Sequence, residues 1–176
     1  IMLEMGQPTH AFDANKIDEI VVDTPKEDCK FVTLDNTERD ITTDTLLIQN
    51  GTTPVAIAGI MGGLDSEIVE DTSTLTLESA TFDAVSIRKS TVRLAHRTDA
   101  SQRYEKCLDP EMTTLAIARF INLLKKFDGG VQVVSALTDE YAYKYDTVEL
   151  SFDKAYVDRY TGIEISNDTI VKTLTD

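Results

Sequence analysis

The chain has 176 residues, of which 41% are apolar and 27% charged, and its formal net charge is −14. This size suits one globular domain with part of another, and we expect the chain to be a piece of a longer protein. The acidic balance argues against a stand-alone nucleic-acid binder, and no apolar run approaches the ~20 residues needed to span a bilayer, so no membrane association is expected.

The first half of the chain is predicted to be rich in β-structure. Segments rich in Val, Ile, Thr and Phe predict strands at residues 19–23, 30–34, 46–49 and 54–58. Asn50-Gly51 lies between the last two and predicts a hairpin, because both central positions of such a turn favour positive φ. Alternation at residues 74–81 predicts another strand, with Glu78 on the face opposite Leu75 and Leu77.

Helices are predicted after residue 82. Asp83 is the expected N-cap of a helix that runs to about Leu94. Asp109-Pro110-Glu111 predicts the start of another, with a cap, a proline at the first helical position and an acidic residue in the first turn. Apolar residues recur in it at helical spacing up to Phe127, before Gly129-Gly130, so we interpret it as a core helix.

The last part of the chain is predicted to begin a second domain. The predicted elements are a strand at residues 131–137, a strand at 147–152, a helix at 153–160 that Gly162 ends, and a helix capped by Ser166. The fold class is therefore expected to be α+β, with helices packed after residue 82 and a small α/β-type second domain. The expected divisions are an N-terminally truncated domain at 1–137, a linker at 138–145 and the second domain at 146–176.

Histidine and glycine stand in predicted loops at two places. Gly6-Gln7-Pro8 predicts a rigid bend that presents His10 from a loop. A structural or merely exposed histidine is the alternative. Gly62 and Gly63 follow a predicted strand, where adjacent glycines allow a ligand to approach bare N–H donors. Since they lack the pattern of a P-loop or a dinucleotide fingerprint, a simple turn is the alternative there.

Glu78 is the candidate acceptor of a ligand group. Its neighbours on the same strand face, Thr76 and Ala80, are small, so a hole is expected beside the carboxylate. A hole with one acceptor suits a ligand hydroxyl. An edge-strand glutamate that faces solvent is the alternative.

Basic residues cluster between residues 88 and 106 of this acidic chain. Lys89, Arg93 and Arg97 are four residues apart, so on a continued helix they would share a face and could hold an anion. A solvated surface is the alternative. Cys29 and Cys107 are too few for a disulfide framework, which favours a reduced, intracellular protein, and no metal-ligand spacing is present.

Four stretches of the chain, taken in order, resemble the successive signatures of one known domain. These are residues 6–13, 58–63, 77–88 and 97–110, and together they resemble the editing domain of the bacterial-type phenylalanyl-tRNA synthetase beta subunit across about residues 2–127. Residues 148–174 resemble the start of that subunit's next domain. Thr9 stands where a larger apolar residue is usual, and Cys107 where glycine is common, which puts in doubt the backbone geometry just before Asp109.

The resemblance implies a set of site residues. His10 would lie at the editing site near the terminal adenosine, and we expect it to orient water together with the backbone N–H groups near Gly62 and Gly63. The remaining implied roles are the acceptor of the tyrosine hydroxyl (Glu78), the pocket floor (Thr98, Ala100) and, as our expectation, the contacts to tRNA phosphates (Lys89, Arg93, Arg97). One further pocket residue of the family would precede Ile1.

The resemblance also implies a function. The expected activity is hydrolysis of tyrosine wrongly attached to tRNA(Phe), in the cytoplasm. Aminoacylation, with its ATP and magnesium, would belong to the alpha subunit of an alpha2-beta2 heterotetramer, so no cofactor is expected in this chain. The alternatives are a non-catalytic tRNA-docking module and a structural scaffold of the same synthetase.

Overall fold

The structure is a computed structural model that describes residues 1–175, and it has the predicted α+β fold. The chain forms two compact units, Ile1–Gln132 and Val133–Asp176. Strands dominate up to Phe82 and helices follow, as predicted. The finer division into a domain, a linker and a second domain stays a prediction.

The elements are short, and most were predicted. The strands are β1 (His10–Asp13), β2 (Ile20–Asp23), β3 (Cys29–Val32), β4 (Glu38–Ile41), β5 (Leu47–Asn50), β6 (Thr53–Ile57), β7 (Met61–Gly62) and β8 (Leu75–Glu78). The helices are α1 (Met2–Met5), α2 (Ala84–Arg93), α3 (Asp99–Tyr104), α4 (Met112–Phe127), α5 (Lys154–Thr161) and α6 (Asn167–Thr175). The predicted strands of the first half correspond to β2, β3, β5, β6 and β8.

The strands pair antiparallel in three sheets. One sheet has the order β2-β5-β6-β7, while β1 pairs with β8 and β3 with β4. A bridge between Thr33 and Gly63, and a hydrogen bond from Leu34 N to Gly62 O (3.1 Å), attach the β3–β4 hairpin to the edge of the four-stranded sheet. Gly62 and Gly63 therefore lie where two sheets meet.

The β5–β6 hairpin forms at the predicted place with a different turn. Asn50 pairs with Thr53, so Gly51 and Thr52 are the central residues, and Gly51 has φ +61°. Asn50 remains in the strand, which corrects the prediction that it occupies a turn position with positive φ. Its side-chain oxygen instead accepts from the N–H groups of Asp18 and Glu19 at 3.1 and 3.0 Å.

The core joins the sheets to α2 and α3. It is built from apolar side chains of every sheet together with one residue from each of these helices. Its buried members are Phe12, Phe31, Ile41, Leu47, Ile48, Val55, Ala56, Ile57, Ala58, Ile60, Phe82, Ile87 and Tyr104. The core thus packs around the C-terminal end of β6 and the loop that follows it.

Helix α4 corrects two predictions. It begins at Met112, because Asp109 accepts a hydrogen bond from Glu111 N (3.0 Å) in a turn that precedes the helix. Among the described residues of α4, Ala116 is the only buried one, and Phe127 is 87% exposed. The helix is therefore not a core helix. Apolar periodicity indicates a helix face that is to be buried, but it does not specify the surface against which that face packs.

The strands predicted at residues 131–137 and 147–152 are absent. Between α4 and α5, the described chain contains no helix or strand. A strand requires a neighbour to complete its ladder of hydrogen bonds, and these apolar runs pair with no partner in the described residues. Side chains such as Val134 and Leu150 are exposed there.

Four other helix boundaries that depend on capping residues are confirmed. Asp83 accepts from Ser86 N (2.7 Å) at the start of α2, and Asp153 accepts from Ala155 N (3.1 Å) at the start of α5. Gly162 ends α5 with φ +77°. Ser166 Oγ accepts from Thr169 N (3.2 Å) before α6. Local capping chemistry is sufficient to place these ends.

Candidate functional site

A small cavity of about 70 Å³ lies beside the β1–β8 pair in the first unit. It contains one carboxylate and one imidazole among mostly apolar walls. Its lining residues are Pro8, Thr9, His10, Ile48, Ala56, Ile57, Gly59, Ile60, Met61, Gly62, Glu78, Ala100 and Tyr104. All four resembling stretches contribute to this wall, and the contribution of the fourth, residues 97–110, comes from α3.

His10 and Glu78 are brought together by strand pairing. The β1–β8 register places them directly opposite each other, and opposite residues of an antiparallel pair extend to the same face. Both line the cavity. His10 is therefore the first residue of a strand, which corrects the prediction that it stands in a loop. Strand β8 ends at Glu78, three residues earlier than predicted, because β1 has no residue in strand conformation before His10.

The Glu78 carboxyl group has an altered acidity. Burial raises its pKa to about 7, because the surrounding apolar walls disfavour the charged form. Among residues 1–175, no side chain or backbone group donates a hydrogen bond to this carboxyl, and no cation pairs with it. The expected hole beside Glu78 is thus present, and its acceptor is available to a ligand.

The imidazole of His10 is held by packing. It makes an edge-to-face contact with the Phe12 ring, with centroids 4.5 Å apart, and burial lowers its pKa. The neutral form therefore predominates near pH 7. A Cβ atom added to Gly62 would lie 2.6 Å from His10 Cε1 and 2.7 Å from Nε2. Any residue larger than glycine at position 62 would therefore displace the imidazole.

Gly63 differs from Gly62 in what surrounds it. A Cβ on Gly63 would lie 2.5 Å from Phe31 Cζ and 2.8 Å from the Val55 carbonyl oxygen. Its N–H donates to that same oxygen (2.8 Å), and Gly63 does not line the cavity. The expected role of a bare N–H donor is therefore not available to Gly63. Of the two adjacent glycines, only Gly62 lines the cavity.

The two predicted floor residues have separate positions. Ala100 lines the cavity from α3. Thr98 does not line it; the Thr98 hydroxyl donates to the Ile60 carbonyl oxygen (2.8 Å) and forms a capping box with Ser101 at the start of α3. Thr98 thus ties α3 to the loop between β6 and β7, just before Gly62.

Tyr104 is a cavity residue that the sequence reasoning missed. It lies one turn after Ala100 on α3, so helical spacing from that residue was the available signal. Its ring packs edge-to-face on Phe82 (centroids 5.0 Å), and its hydroxyl donates to the Pro8 carbonyl oxygen (3.3 Å). Burial, with a further contribution from the charge of Glu78, raises the pKa of the phenol, which stays protonated.

A larger, open groove of about 620 Å³ runs along the outer face of α2. Its lining residues are Ala84, Val85, Arg88, Lys89, Val92, Arg93, Glu105 and Cys107. Arg88 and Lys89 form no ion pair with another described residue, whereas Arg93 pairs with Asp44. The groove is therefore lined both by apolar side chains, among them Val92, which is 75% exposed, and by cationic ones.

The predicted basic face is only partly formed. Helix α2 ends at Arg93, and Ala95 has φ +48°, so Arg97 leaves the helix and does not share its face. Arg97 pairs with Glu105 and does not line the groove. Of the three predicted phosphate contacts, Lys89 and Arg93 lie in the groove and Arg97 does not.

The cysteines of the described part of the chain are free, and its residues form neither a metal cluster nor a membrane-spanning helix. Cys29 is partly buried and Cys107 exposed, and neither is in a disulfide. Residues 1–175 contain no group of three or more His, Cys, Asp and Glu side chains placed to hold a metal ion. Over the same residues, no helix is both long enough and apolar enough to cross a membrane.

Comparison with known proteins gives consistent results. Residues 1–129 match the family described as B3/4 domain. Over 99% of its length the chain is 42% identical to the phenylalanine–tRNA ligase beta subunit of Clostridium acetobutylicum and 40% identical to that of Clostridium tetani. It is 37% identical over 97% of its length to that of Bacillus subtilis. The chain spans about a fifth of these relatives (22%, 22% and 21%). The resemblance to the beta subunit of this synthetase is confirmed.

Proposed function

Since this chain belongs to the B3/4 domain family and is similar to phenylalanine–tRNA ligase beta subunits, we propose that it is the part of such a subunit that hydrolyses tyrosyl-tRNA(Phe). Aminoacylation would then take place on the alpha subunit of an alpha2-beta2 enzyme in the cytoplasm, with ATP and magnesium. The small cavity suits neither magnesium nor ATP. It is lined by a single carboxylate, which is too few ligands for the metal, and by no cation that could pair with phosphate. We assign no cofactor to this chain.

The observation that carries the proposal is the Glu78 carboxyl group without a partner in a cavity. A tyrosine hydroxyl could donate to it, whereas phenylalanine would leave it desolvated and unpaired. An unsatisfied buried acceptor costs about 1–3 kcal/mol, which corresponds to a preference of one to two orders of magnitude for tyrosine. One carboxyl group is therefore sufficient to sort the two amino acids.

Such a second site has a clear use. A pocket built for phenylalanine rejects an isostere that adds only a hydroxyl by roughly 10²-fold at most. A site that hydrogen-bonds the hydroxyl has the reverse preference. Acting one after the other, the two sites would discriminate phenylalanine from tyrosine more strongly than either does alone.

The hydrolysis requires little from the protein. The aminoacyl ester is already activated, so an oriented water molecule is enough to attack it. His10 lines the cavity as a neutral imidazole and is the group placed to orient this water, with the backbone at Gly62 beside the carbonyl. Among the described residues that line the cavity, none is serine or cysteine and the Thr9 hydroxyl makes no hydrogen bond to His10, so we propose direct attack by water over a covalent intermediate.

The groove along α2 is the proposed contact for tRNA phosphates. Lys89 and Arg93, joined by Arg88, provide local positive charge on a chain of net charge −14. Phosphate contacts of this type position an RNA without reading its sequence. The same groove favours the second candidate function, a non-catalytic tRNA-docking module of the synthetase. A docking module or scaffold has no use for the unpartnered Glu78 carboxyl group in this cavity, which is why we prefer hydrolysis.

Deacylation of tyrosyl-tRNA(Phe) by the assembled enzyme tests the proposal. Glu78→Ala should lose most of the hydrolysis of tyrosyl-tRNA, and phenylalanyl-tRNA serves as the substrate control. Glu70→Ala is the matched variant, because Glu70 is an exposed carboxylate outside the cavity. A docking module would show no deacylation above the spontaneous rate with either variant or with the wild type.

A further inference from the structure

The Gly6-Gln7-Pro8 motif has a role beyond the predicted bend. Helix α1 ends at Met5, Gly6 caps it with a φ of +74° that turns the chain, and Gln7 follows, three residues before β1 begins at His10. Gln7 is only 1% exposed, although its amide is polar. Glutamine is seldom fully buried unless its amide is used.

The Gln7 amide links two segments that are distant in sequence. Its Nε2 donates to the Ala80 carbonyl oxygen at 2.7 Å and to the Pro8 carbonyl oxygen at 3.3 Å. These two acceptors define the orientation of the amide, because a flipped group would place its oxygen against both carbonyls. The Oε1 atom is buried and has no hydrogen-bond partner in the described chain. A buried acceptor is thus left unsatisfied so that the two donor bonds can form.

The two linked segments flank the cavity pair. Ala80 lies two residues after Glu78, and Gln7 lies three residues before His10. The backbone pairing of β1 with β8 ends at His10 and Glu78, so the bond from Gln7 to Ala80 continues the connection beyond the last backbone pair. Without it, the end of the ladder that carries both cavity side chains would be free to fray.

We propose that Gln7 is a positioning residue that acts through His10: its buried amide joins the start of β1 to the segment after β8 and fixes the imidazole opposite Glu78. The inference rests on the proposed function, because it concerns how the hydrolytic site is held. Gln7 itself does not line the cavity.

Gln7→Met in the full-length beta subunit, assembled with its alpha subunit, tests this role. Methionine is similar in length and apolar, and it donates no hydrogen bond. We expect kcat for deacylation of tyrosyl-tRNA to fall about tenfold, as loss of one buried hydrogen bond would allow, with KM changed less than about twofold. In a His10→Ala background, Gln7→Met should cause no further loss, because both changes remove the same contribution.

Thr91→Val is the matched control. The Thr91 hydroxyl is buried and donates to the Arg88 carbonyl oxygen (2.8 Å), so the variant also loses a buried hydrogen bond, but outside the cavity. Its Tm should fall while kcat remains within about twofold of the wild type. Three results would overturn the proposal: an unchanged kcat in Gln7→Met, an equal loss in Thr91→Val, or additive losses with His10→Ala.

A spectroscopic measurement keeps the inference separate from the proposed function. The ring resonances of His10 in the labelled beta subunit are assigned by their disappearance in His10→Ala. They should shift in Gln7→Met and stay in place in Thr91→Val, whether or not the enzyme deacylates tRNA. If Gln7→Met does not fold, Gln7→Glu replaces it, because its protonated carboxyl can still donate to Ala80; its His10 resonances should then lie closer to the wild type at low pH. Unshifted resonances in Gln7→Met would contradict a positioning role, and so would a difference between Gln7→Glu and the wild type, measured at the same pH, that does not change with pH.

Discussion

His10 and Glu78 stand directly opposite each other in the β1–β8 pair, and both line one cavity. Burial lowers the pKa of His10 and raises that of Glu78 to about 7, so each shift favours the neutral form. The two groups are therefore not held as an ion pair. An uncharged imidazole lies beside a carboxyl group whose pKa is about 7, and the carboxyl remains available to a hydroxyl donor.

The preference for tyrosine should depend on pH. Above its pKa of about 7, Glu78 is a charged acceptor, which binds a hydroxyl more strongly than the neutral acid does. The ratio of deacylation rates, tyrosyl-tRNA over phenylalanyl-tRNA, should therefore rise between about pH 6 and pH 8. The ratio cancels the base-catalysed hydrolysis that both esters share. A flat ratio, or the same slope in Glu78→Gln, would contradict a role for this ionisation.

The same carboxyl should reduce stability at high pH. Its pKa is about 7 in the folded state against a model value of 4.5, so the folded protein binds more protons between these limits. The free energy of unfolding should thus fall as pH rises from about 4.5 to 7 and be unaffected by this group above that range. Glu78→Gln should be more stable than the wild type at pH 8 by on the order of 3 kcal/mol, and the difference should shrink at pH 4. Urea unfolding at the two pH values measures it, and equal stabilities at pH 8 would refute the burial of the charge.

Gly62→Ala and Gly63→Ala should have different effects. The added methyl group at Gly62 meets the His10 side chain, which can move, so kcat for deacylation should fall with a small change in Tm. At Gly63 it meets the Phe31 ring and the Val55 carbonyl oxygen, so the core should be strained by roughly 1–3 kcal/mol. Thermal unfolding and single-turnover kinetics on both variants separate the two outcomes. If Gly62→Ala kept full activity, the position of the imidazole would not matter.

Lys89→Gln should weaken the binding of mischarged tRNA. The Lys89 ammonium forms no ion pair with another described residue and lines the α2 groove, so its loss should raise KM and reduce the dependence of binding on salt by about one phosphate contact. The comparison is Lys26→Gln, since Lys26 is exposed and outside the groove. Equal KM values for the two variants would indicate that the groove is ordinary solvated surface and does not bind tRNA phosphates.

The parts of the fold that depend on local chemistry could be predicted from the sequence. Caps such as Asp83 and Asp153 determine helix starts through bonds to nearby N–H groups. Strand β4 (Glu38–Ile41) was missed because its charged residues have low β-propensity and it forms through pairing with β3. Arg97 was placed on a continued helix because residue spacing does not reveal the turn at Ala95.

The candidate site was also predicted only in part, because some of its residues are placed by tertiary contacts. The resemblance led to His10, Gly62, Glu78 and Ala100, which share one cavity. Gly63 and Thr98 lie next to it, and their roles in packing and in tying α3 to Ile60 depend on tertiary contacts. The Gln7 amide gave no local signal, because its partner Ala80 is distant in sequence, and the only signal for Tyr104 was its helical spacing from Ala100.

Binding of two matched ligands tests the central claim most directly. The ligands are adenosine derivatives that carry tyrosine or phenylalanine on the 3′ position through a non-hydrolysable amide, and calorimetry on the full-length beta subunit at pH 8 gives both Kd values. We expect the tyrosine derivative to bind at least about tenfold more tightly to the wild type, and this ratio to fall to about one in Glu78→Ala. A ratio that is unchanged in Glu78→Ala would contradict the assignment of Glu78 as the acceptor of the tyrosine hydroxyl.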